Sequence, residues 1–346
     1  MKLSDFDYHL PPELIAQEPS IERDQSRMMV LEKSGGALFH RHFFNFPDFL
    51  RKGDTLVLND SKVIPARLRG KKETGAVIEV LLLTQKEGYN PCRPTWEALL
   101  RPGKRVRPGT LLFFNESGRG RVLDRVSEKK WLIEFQTDLP FETFLERYGT
   151  VPLPPYINRK DGVSRHEQDR ERYQTVYARS PGSVAAPTAG LHFTPDILKQ
   201  LEASGIPIAR VTLHVGYGTF LPVEAENVED HAMEEEFYEI SPETAALISE
   251  AKRVIAVGTT STRVLESTAD ENGRIKAASG FTKLFIYPGY RFKRVNALLT
   301  NFHLPRSSLY LLTSAFGGME LIREAYAEAV RERYRFYSYG DCMFIS

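Results

Sequence analysis

The stretch RVIAVGTTSTR (253–263) joins an apolar run to a hydroxyl-rich segment through a single glycine. The apolar run RVIAV is typical of a buried strand, and Gly258 lets the backbone turn sharply after it. Four hydroxyl side chains and one arginine open the helix that the pattern predicts next: Thr259, Thr260, Ser261, Thr262 and Arg263. N–H groups at a helix N-terminus attract a carboxylate or a phosphate, so the sequence predicts an anion site here. Ordinary capping by the hydroxyls is the alternative, and no Gly-Lys-Ser/Thr follows that would make this a Walker loop.

Strands alternate with helices from about residue 185 to the end of the chain. Besides the elements around Gly258, the pattern predicts a helix begun by Thr194-Pro195 and ended by Gly205, a strand over 206–215, a helix capped by Ser241, a strand over 281–287 and a helix over 320–333. Such alternation predicts a layered α/β domain with a largely parallel sheet.

The middle of the chain has a different sequence pattern. Short runs of strand formers, such as AVIEVLLL (76–83) and WLIEF (131–135), are separated by Gly and Pro turn signals and show no helical period. This pattern indicates a small barrel or sandwich. We therefore expect a discontinuous α/β catalytic domain over 1–61 and 150–346, interrupted by an inserted, basic all-β barrel over 62–149.

Basic charge is concentrated in the predicted insertion. The chain of 346 residues has a formal net charge of +1, yet between Lys62 and Lys130 there are 16 Lys and Arg residues against 7 Asp and Glu residues. A concentrated basic segment suggests a polyanionic partner such as nucleic acid, with a solvated basic face as the alternative. The candidates for phosphate contacts are Lys62, Arg67, Arg69, Arg101, Lys104, Arg105 and Arg107.

Composition limits the class of protein further. The length predicts two domains, and the strongly apolar runs are far too short to span a bilayer. The N-terminus lacks the basic region of a signal peptide. Cys92 and Cys342 give neither a disulfide framework nor a zinc-ligand spacing. We expect a cytoplasmic protein with no membrane contact.

The segment AAPTAGLHFT (185–194) predicts a ligand pocket. Its small residues let a ligand approach the backbone closely, and His192 stands among apolar residues beside that space. We expect the ligand to be a nucleoside. The loop LHVGYGTFLPV (213–223) follows a predicted strand, so His214 and the Gly-Tyr-Gly turn are expected to form a second wall, with a plain tight turn as the alternative.

Two other segments carry candidate acid–base groups. The run 224–239 holds eight acids and no Lys or Arg, and His231 and Glu235 within it have the spacing of one helical turn. Neither a second His nor a Cys completes a metal site, so we predict no metal, while one carboxylate stays a candidate acid or base. Asn301 and His303 stand between apolar residues before a helix start, where a hydrogen-bonded core histidine is the alternative.

Several long motifs taken together resemble one family. They are AAPTAGLHFT, LHVGYGTFLPV, VGTTSTR, TNFHLP, the C-terminal YRFYSYGDCMFI (334–345), LPPELIAQEPSIERDQSRMMVL (10–31) and LNDSKVIPARL (58–68). The chain resembles the S-adenosylmethionine:tRNA ribosyltransferase-isomerases of the queuosine pathway, and the match runs in order from end to end.

The resemblance implies a reaction and its partners. The family transfers and isomerises the ribosyl part of S-adenosylmethionine onto 7-aminomethyl-7-deazaguanine at the tRNA wobble position, giving epoxyqueuosine-tRNA, adenine and methionine. S-adenosylmethionine is then a co-substrate, no metal or prosthetic group is implied, and a monomer is slightly favoured. The implied fold is an α/β domain interrupted by an inserted β-barrel.

One motif departs from the family pattern. The family usually has His-x-Met-His-x-Glu where this chain has His231, Ala232, Met233, Glu234 and Glu235. Glu234 in place of the second histidine weakens any scheme in which that histidine is the sole base.

The implied chemistry assigns roles to residues. A base must remove the ribose 5′ proton beside the sulfonium, and we expect His192 or His214 to do so, with Asp230 or Glu235 in reserve. Thr259, Thr260 and Arg263 are expected to bind the carboxylate, and the ring of Tyr217, Phe220 or Phe302 to face the sulfonium. The predicted co-substrate contacts are Tyr217, Gly218, Thr219, Phe220, Gly258, Thr259, Thr260, Ser261, Arg263, Asn301, Phe302 and His303.

Two other classes of protein are consistent with some of the same sequence features. A methyltransferase would release adenosylhomocysteine instead of adenine. A non-catalytic RNA-binding module would explain the basic insertion but not the hydroxyl-rich loop and the imidazoles. The sequence has neither G-x-S-x-G nor G-x-G-x-x-G, which disfavours a serine hydrolase and a dinucleotide oxidoreductase.

Overall fold

The computed structural model describes residues 1–86, 93–159, 165–220 and 222–346, apart from the side chain of Phe220. The strands in these ranges are β1 (Arg27–Leu31), β2 (Leu38–His42), β3 (Asp54–Asn59), β4 (Ser61–Val63), β5 (Arg67–Lys72), β6 (Val77–Lys86), β7 (Thr95–Arg101), β8 (Leu111–Phe114), β9 (Gly118–Arg125), β10 (Lys130–Thr137), β11 (Ser180–Ser183), β12 (Ile208–Leu213), β13 (Glu236–Ile240), β14 (Arg253–Val257), β15 (Ala278–Thr282), β16 (Ala297–Asn301) and β17 (Cys342–Ile345). The α-helices are α1 (Phe141–Tyr148), α2 (His166–Arg172), α3 (Pro195–Ala203), α4 (Pro242–Glu250), α5 (Gly258–Thr268), α6 (Ser308–Gly317) and α7 (Met319–Arg331). The 3₁₀ helices are Leu3–Phe6, Pro12–Leu14, Arg23–Gln25, Phe43–Phe49, Thr188–His192, Tyr217–Phe220 and Val228–Asp230.

The chain forms two compact units. The first, here the α/β unit, comprises Met1–Lys62, Pro154–Lys160 and Arg172–Ser346. The second, here the barrel unit, comprises Val63–Leu153 and Asp161–Glu171. The predicted fold class, a layered α/β domain together with an all-β barrel, is confirmed.

The α/β unit is built on a nine-stranded sheet with the order β15-β13-β12-β3-β14-β16-β17-β1-β2. Its centre, β12-β3-β14-β16, is parallel. The prediction of a largely parallel sheet is wrong for the flanks, because β13, β15 and β2 pair antiparallel and β17 runs antiparallel to β16. Antiparallel neighbours need no helical crossover, so they escape a search for alternating strands and helices.

Helices cover both faces of this sheet. Alternate residues of the central strands fall into two separate cores, with Val254 and Ala256 on one side and Ile255 and Val257 on the other. The first core holds side chains of α4 to α7, and the second holds those of α3 and of the 3₁₀ helix Phe43–Phe49. Burial on both faces explains why these strands read as continuous apolar runs.

The barrel unit contains a closed barrel with the order β10-β7-β6-β5-β8-β9. Each neighbouring pair runs antiparallel. Alternating burial along β5 and β9 sends apolar side chains inward and basic side chains outward. Strand β5 was not predicted, because its sequence RLRGKK carries its basic residues on the solvent side and offers little apolar signal.

Short sequence signals predicted the ends of some helices and strands correctly and those of others incorrectly. The predicted caps are confirmed, because Thr194 Oγ1 accepts from Ile197 N at 3.2 Å and Ser241 Oγ from Thr244 N at 3.2 Å. The strand predicted over 281–287 ends at Thr282 in the structure. Among the described residues, no helix is long and apolar enough to cross a membrane.

Candidate active site

A cleft opens at the carboxyl edge of the parallel strands in the α/β unit. It encloses about 780 Å³ of space, part of which is open to solvent. Ligands of α/β sheets bind at this edge, because loops and helix N-termini meet there. The cleft is lined by Tyr156, Ala185, Ala186, Pro187, Thr188, Ala189, Val215, Thr219, Pro222, Gly258, Thr259, Thr260, Thr300, Asn301, His303, Leu304, Pro305, Ser307, Leu309, Tyr337 and Ser338.

One wall is the small-residue segment that the sequence singled out. Ala185, Ala186 and Ala189 are buried and line the cleft. Gly190 lies in the 3₁₀ helix that follows, where a Cβ would overlap the Tyr177 hydroxyl. The absence of bulk therefore serves both the cleft and the packing behind it.

The N-terminus of α5 forms a second wall. Val257 provides no side-chain cap, and Gly258 takes the left-handed backbone conformation, with φ +87°, at the strand–helix junction. Thr259 and Thr260 line the cleft. The buried Thr260 Oγ1 has no hydrogen-bond partner among the described residues. An uncapped helix end beside an unpartnered hydroxyl is suited to an anion.

The other two hydroxyls of this loop are used within the helix. Ser261 Oγ donates to Val257 O at 2.8 Å, and Thr262 Oγ1 donates to Gly258 O at 3.1 Å. Both side chains are fully buried. The anion site at Gly258, Thr259 and Thr260 stays a prediction, whereas Ser261 serves the backbone of its own helix.

Asn301, the last residue of β16, presents an acceptor to the cleft. Its Nδ2 donates to Tyr337 O at 3.0 Å and to Asp341 O at 3.3 Å, and these two carbonyls fix the orientation of the amide. The opposite atom, Oδ1, is buried and has no partner among the described residues. A buried acceptor without a donor costs free energy unless a ligand supplies one.

Two tyrosines supply the aromatic surface of the cleft. The ring centroids of Tyr156 and Tyr337 are 4.0 Å apart, and the Tyr156 hydroxyl lies 2.5 Å from Ser338 Oγ. Tyr337 has φ +74°, a conformation that non-glycine residues rarely adopt, and its hydroxyl is buried without a partner in the described chain. Burial raises the pKa of both hydroxyls, so they remain protonated at neutral pH.

His192 is buried behind the cleft and is not among the described residues that line it. Its Nδ1 lies 2.6 Å from Ser26 Oγ, and its Nε2 lies 3.3 Å from Asn301 Nδ2. Because the Ser26 hydroxyl donates to Arg23 O at 3.2 Å, its oxygen accepts from the ring, and the ring proton is on Nδ1. Burial, and then the positive charges of Arg23 and Arg335, lower the pKa of His192 to about 3. Nε2, the nitrogen expected to act as a base, thus lies against Asn301 behind the cleft, and the role of His192 as the base stays a prediction.

His303 is the one imidazole among the described residues that line the cleft. Its Nε2 lies 2.7 Å from Thr300 Oγ1, and its backbone N–H donates to Tyr326 Oη at 3.1 Å. Burial lowers the pKa of His303 to about 3, so the ring is neutral at physiological pH.

The other expected bases lie elsewhere. His214 stacks on Phe237, with centroids 5.5 Å apart, and is absent from the described cleft lining, as are Asp230 and Glu235. Asp230 is exposed and accepts from Asn227, and Glu235 is exposed and pairs with Lys283 at 2.9 Å. The helical spacing proposed for His231 and Glu235 is also wrong, because residues 231–235 form no helix.

Arg263 is engaged by a carboxylate of the protein. Its guanidinium pairs with buried Glu236, and its Nε donates to Leu284 O at 2.9 Å. Glu236 Oε1 also accepts from Gly216 N at 2.8 Å and Thr219 Oγ1 at 3.3 Å. Arg263 is not among the described lining residues, its contact with Glu236 ties it to the loop carrying Thr219, and its buried Nη2 has no partner in the described chain. Its contact with a ligand carboxylate stays a prediction.

The rings expected at the sulfonium are placed differently. Phe302 is fully buried in the core, with its centroid 5.2 Å from Phe336 and 5.3 Å from both Tyr326 and Tyr334. Tyr217 and Gly218 belong to a 3₁₀ helix and are not among the described lining residues, although Thr219 of the same helix is. The side chain of Phe220 lies outside the described part of the chain. Successive side chains at the end of a strand point to opposite faces of the sheet. Phe302 is therefore buried in the core, because its neighbour Asn301 faces the other way.

Sequence reasoning missed several lining residues. Tyr337 and Ser338 lie in the C-terminal motif, and Tyr156 lies in the proline-rich segment VPLPPYI (151–157), whose composition gives no sign of a ligand site. Glu236 was missed because the acidic run resembles a solvated face. The glutamate is the sixth position of the pattern His-x-Met-His-x-Glu. When the first histidine is aligned with His231, this glutamate falls on Glu236, so the pattern would have identified Glu236.

Most of the predicted phosphate-contact residues are exposed. In the barrel unit Arg69, Arg101, Lys104, Arg105 and Arg107 face solvent. Lys62, in the α/β unit, is exposed as well. Arg67 is instead paired with Glu79 at 3.3 Å and donates to Leu153 O at 3.2 Å. Arg67 therefore braces the barrel unit.

A second basic row, not predicted from the sequence, crosses three barrel strands. Lys71 of β5 is paired with Phe113 of β8, which is paired with Arg119 of β9. Arg121 follows two positions along β9 on the same face. Only strand register reveals that Lys71 and Arg119 belong to one row, because these two residues are far apart in sequence.

The chain is similar over its whole length to a known family of proteins. The family model for queuosine biosynthesis protein matches residues 3–345. A protein named S-adenosylmethionine:tRNA ribosyltransferase-isomerase from Syntrophus aciditrophicus is 60% identical, with 100% of this chain and 99% of that protein covered. A protein of the same name from Acetivibrio thermocellus is 53% identical, and both chains are covered completely.

A solved structure is similar over its whole length. The crystal structure of the S-adenosylmethionine tRNA ribosyltransferase from Thermotoga maritima is 38% identical, with a TM-score of 0.55. The comparison covers 99% of this chain and 100% of that chain.

Proposed function

The chain belongs to the queuosine biosynthesis protein family and is an S-adenosylmethionine:tRNA ribosyltransferase-isomerase, and from that premise we propose its substrates and the roles of its residues. The ribosyl part of S-adenosylmethionine is transferred to 7-aminomethyl-7-deazaguanine at the tRNA wobble position. Epoxyqueuosine-tRNA, adenine and methionine are the products.

One observation carries the proposal for the binding site. Three buried polar atoms without partners in the described chain, Thr260 Oγ1, Asn301 Oδ1 and the Tyr337 hydroxyl, belong to residues of a single cleft. Buried polar atoms are nearly always hydrogen-bonded, so three such atoms in one cleft support a polar ligand there.

The chemistry of S-adenosylmethionine matches these groups. Its carboxylate is assigned to the uncapped N-terminus of α5 with Thr259 and Thr260, because the helix dipole favours negative charge. Its ammonium or its adenine amino group is assigned to Asn301 Oδ1, because an acceptor requires an N–H donor. The sulfonium is assigned to the rings of Tyr156 and Tyr337, where a cation–π contact contributes about 0.5–2 kcal/mol.

The reaction begins with removal of the 5′ proton beside the sulfonium. The resulting ylide breaks the bond between the 4′ carbon and the ring oxygen, and that oxygen becomes a 1′ aldehyde as adenine leaves and takes up a proton. The aminomethyl nitrogen of the deazaguanine adds to the 4′ carbon of the vinyl sulfonium and loses a proton. The 5′ carbanion so formed closes a five-membered carbocycle on the 1′ aldehyde, and the new alkoxide attacks the 5′ carbon, which forms the epoxide and releases methionine. His303 is assigned to proton transfer, since its neutral ring lines the cleft. His192 and Arg263 are assigned to positioning, through Asn301 and through Glu236 respectively.

The RNA is assigned to the basic outer face of the barrel unit. Arg69, Arg101 and Lys104 are exposed there. Exposed basic residues that neutralise phosphates release counterions, so the affinity for tRNA should fall steeply with salt. Arg67 is left out of this set, because Glu79 neutralises it.

The test is a product analysis. The protein is incubated with S-adenosylmethionine and tRNA carrying the aminomethyl-deazaguanine, and small molecules are identified by mass spectrometry. Equal amounts of adenine and methionine are expected. Adenosylhomocysteine would instead identify a methyltransferase, and binding of the modified tRNA without any turnover would identify an RNA-binding module. Unmodified tRNA is the matched control, and it should release no adenine.

A further inference from the structure

The outer face of the barrel unit carries an aromatic ring between two cations. Phe113 of β8 is paired with Lys71 of β5 on one side and with Arg119 of β9 on the other. Lys71 and Arg119 are exposed, and the Phe113 side chain is half-buried. We propose that these three residues, here the Phe113 platform, bind an unpaired nucleotide of the RNA substrate, with its base stacked on the ring. This inference rests on the proposed function.

Alternation along β8 turns the Phe113 ring out of the barrel. Leu112 and Phe114 are fully buried, whereas Leu111 and Phe113 are half-buried. Phe114 packs against Phe144, with ring centroids 6.4 Å apart. Successive side chains of a barrel strand point to opposite faces, so the ring of Phe114 fills the interior and the ring of Phe113 lies at the surface.

The strand register places a cation on each side of the ring. Side chains directly opposite each other on antiparallel strands have Cβ atoms about 4.5–5.5 Å apart, so Lys71 and Arg119 flank Phe113. Two strand spacings of about 4.8 Å separate the two cations from each other. A base that lies on the ring therefore has a cation on either side for the phosphates that precede and follow it.

The platform belongs to a wider basic surface. Arg69 of β5 and Arg121 of β9 each lie two positions from a platform cation, and both are exposed on the same face. Two acids share this face, because Glu79 of β6 is paired in register with Arg69, and Glu134 of β10 with Arg121. Each acid lies opposite an outer arginine and one row away from the ring. The positions beside the ring itself are both basic, which favours a polyanionic partner.

An unpaired nucleotide suits the platform better than a duplex or an acidic peptide. The bases of a duplex are stacked on one another, so an aromatic side chain reaches the face of a base only in a single strand. Acidic side chains pair with cations but offer no π face to the ring. An aromatic ring among cations is the combination with which proteins bind single strands, and the loops of a tRNA contain unpaired nucleotides.

The test separates stacking from charge. The dissociation constant for unmodified tRNA is measured with the full-length wild-type protein and with Phe113→Leu, which keeps an apolar side chain but removes the ring. Phe113→Leu should weaken binding about tenfold, because the stacking of one base is lost. The slope of log affinity against log salt should not change. Lys71→Gln and Arg119→Gln should each lower that slope by about 0.7, because each removes a contact with a phosphate of a single strand.

Matched variants exclude a loss of folding. Phe281→Leu makes the same substitution at an exposed ring of the α/β unit and should leave the affinity for tRNA within about twofold. Phe113→Trp keeps a stacking ring and should bind at least as tightly as the wild type, and circular dichroism checks that each variant folds. Added tRNA should quench the indole fluorescence of Phe113→Trp beyond any change in the wild type, where Trp96 and Trp131 are buried.

Three results would overturn the inference. The first is tRNA binding by Phe113→Leu within about twofold of the wild type. The second is a change in the salt slope of Phe113→Leu like that of the two cation variants. The third is quenching of the Phe113→Trp indole by a blunt RNA duplex or by polyglutamate as strongly as by an oligouridylate, because an unpaired base is then not required.

Turnover distinguishes this inference from the proposed function. Unmodified tRNA reports binding without the reaction. If the platform results are obtained but the wild-type protein releases no adenine with the modified tRNA, the platform is supported and the proposed reaction fails. If adenine is released, Phe113→Leu should raise the KM for the modified tRNA and leave kcat unchanged. An unchanged KM would support the proposed function and overturn the platform.

Discussion

Nε2 of His192 lies 3.3 Å from Nδ2 of Asn301, the amide nitrogen that donates to Tyr337 O and to Asp341 O. Ser26 holds the other side of the ring, with Oγ 2.6 Å from Nδ1. A histidine that looked like a base in the sequence therefore works through its neighbour. The position of its proton follows from Ser26, because the Ser26 hydroxyl donates to Arg23 O at 3.2 Å and therefore accepts from Nδ1.

Replacing His192 should affect binding and turnover together. His192→Phe keeps a ring but removes the two ring nitrogens that contact Ser26 and Asn301, so the polar packing behind Asn301 is lost. We expect the dissociation constant for S-adenosylmethionine to rise about tenfold, with turnover falling in parallel. Calorimetry and single-turnover rates check this, with the exposed His42→Phe as control. Lost turnover with unchanged binding and an altered pH profile would instead restore His192 as the base.

Replacing His303 should separate the two effects. His303→Asn removes the imidazole that lines the cleft, and loss of a general base typically lowers turnover about 100-fold or more. S-adenosylmethionine binding should change little, and added imidazole should restore part of the rate. An equal loss of affinity and turnover would show that His303 positions the ligand and transfers no proton.

Stability should depend on pH through buried neutral imidazoles. The pKa of His192 is about 3 in the folded protein and about 6.5 in an unfolded chain, so between these values the unfolded chain binds a proton that the folded protein does not. The free energy of unfolding should therefore fall as pH decreases from about 6.5 toward 3, by about 1.4 kcal/mol per pH unit for this group. Urea unfolding at several pH values should give a shallower slope for His192→Phe by that amount. Identical slopes would mean that His192 titrates normally.

The buried pair of Glu236 and Arg263 should dominate the stability of the loop carrying Thr219. Removing one partner leaves a buried charge, so Glu236→Gln is expected to lower the free energy of unfolding by about 3–5 kcal/mol. The exposed neighbouring pair gives the control, and Glu235→Gln should cost less than about 1 kcal/mol. Urea unfolding measures both, and the double variant Glu236→Gln with Arg263→Met should recover part of the loss. Equal effects of the two single substitutions would contradict this account.

Salt dependence should separate two kinds of barrel arginine. Arg101 is exposed, so Arg101→Gln should lower the slope of log affinity against log salt by about 0.7–0.9 if it contacts a phosphate. Arg67 is paired with Glu79, so Arg67→Gln should leave that slope unchanged while weakening the barrel unit. Filter binding of tRNA across salt concentrations measures the slopes, and the reverse order would refute the assignment.

Local signals predicted the elements that local physics determines. Gly258 at a strand–helix junction and the caps Thr194 and Ser241 were read correctly, because a turn or a cap is a contact between residues a few positions apart. The cleft at AAPTAG was also anticipated, since small residues are visible in any sequence. The antiparallel flanks and β5 were missed, because pairing between distant strands leaves no periodic trace.

The sequence by itself determined the fold class, the hydroxyl-rich helix start and the family, because these depend on residue types and on their order along the chain. Only the tertiary structure decided which side chains face the cleft. His192 and Phe302 are turned away from it, while Tyr156 and Tyr337 line it from segments far apart in sequence. Arg263 is neutralised by Glu236 for the same reason. A side chain's role depends on the partners that folding brings to it, and those contacts join residues that the sequence keeps apart.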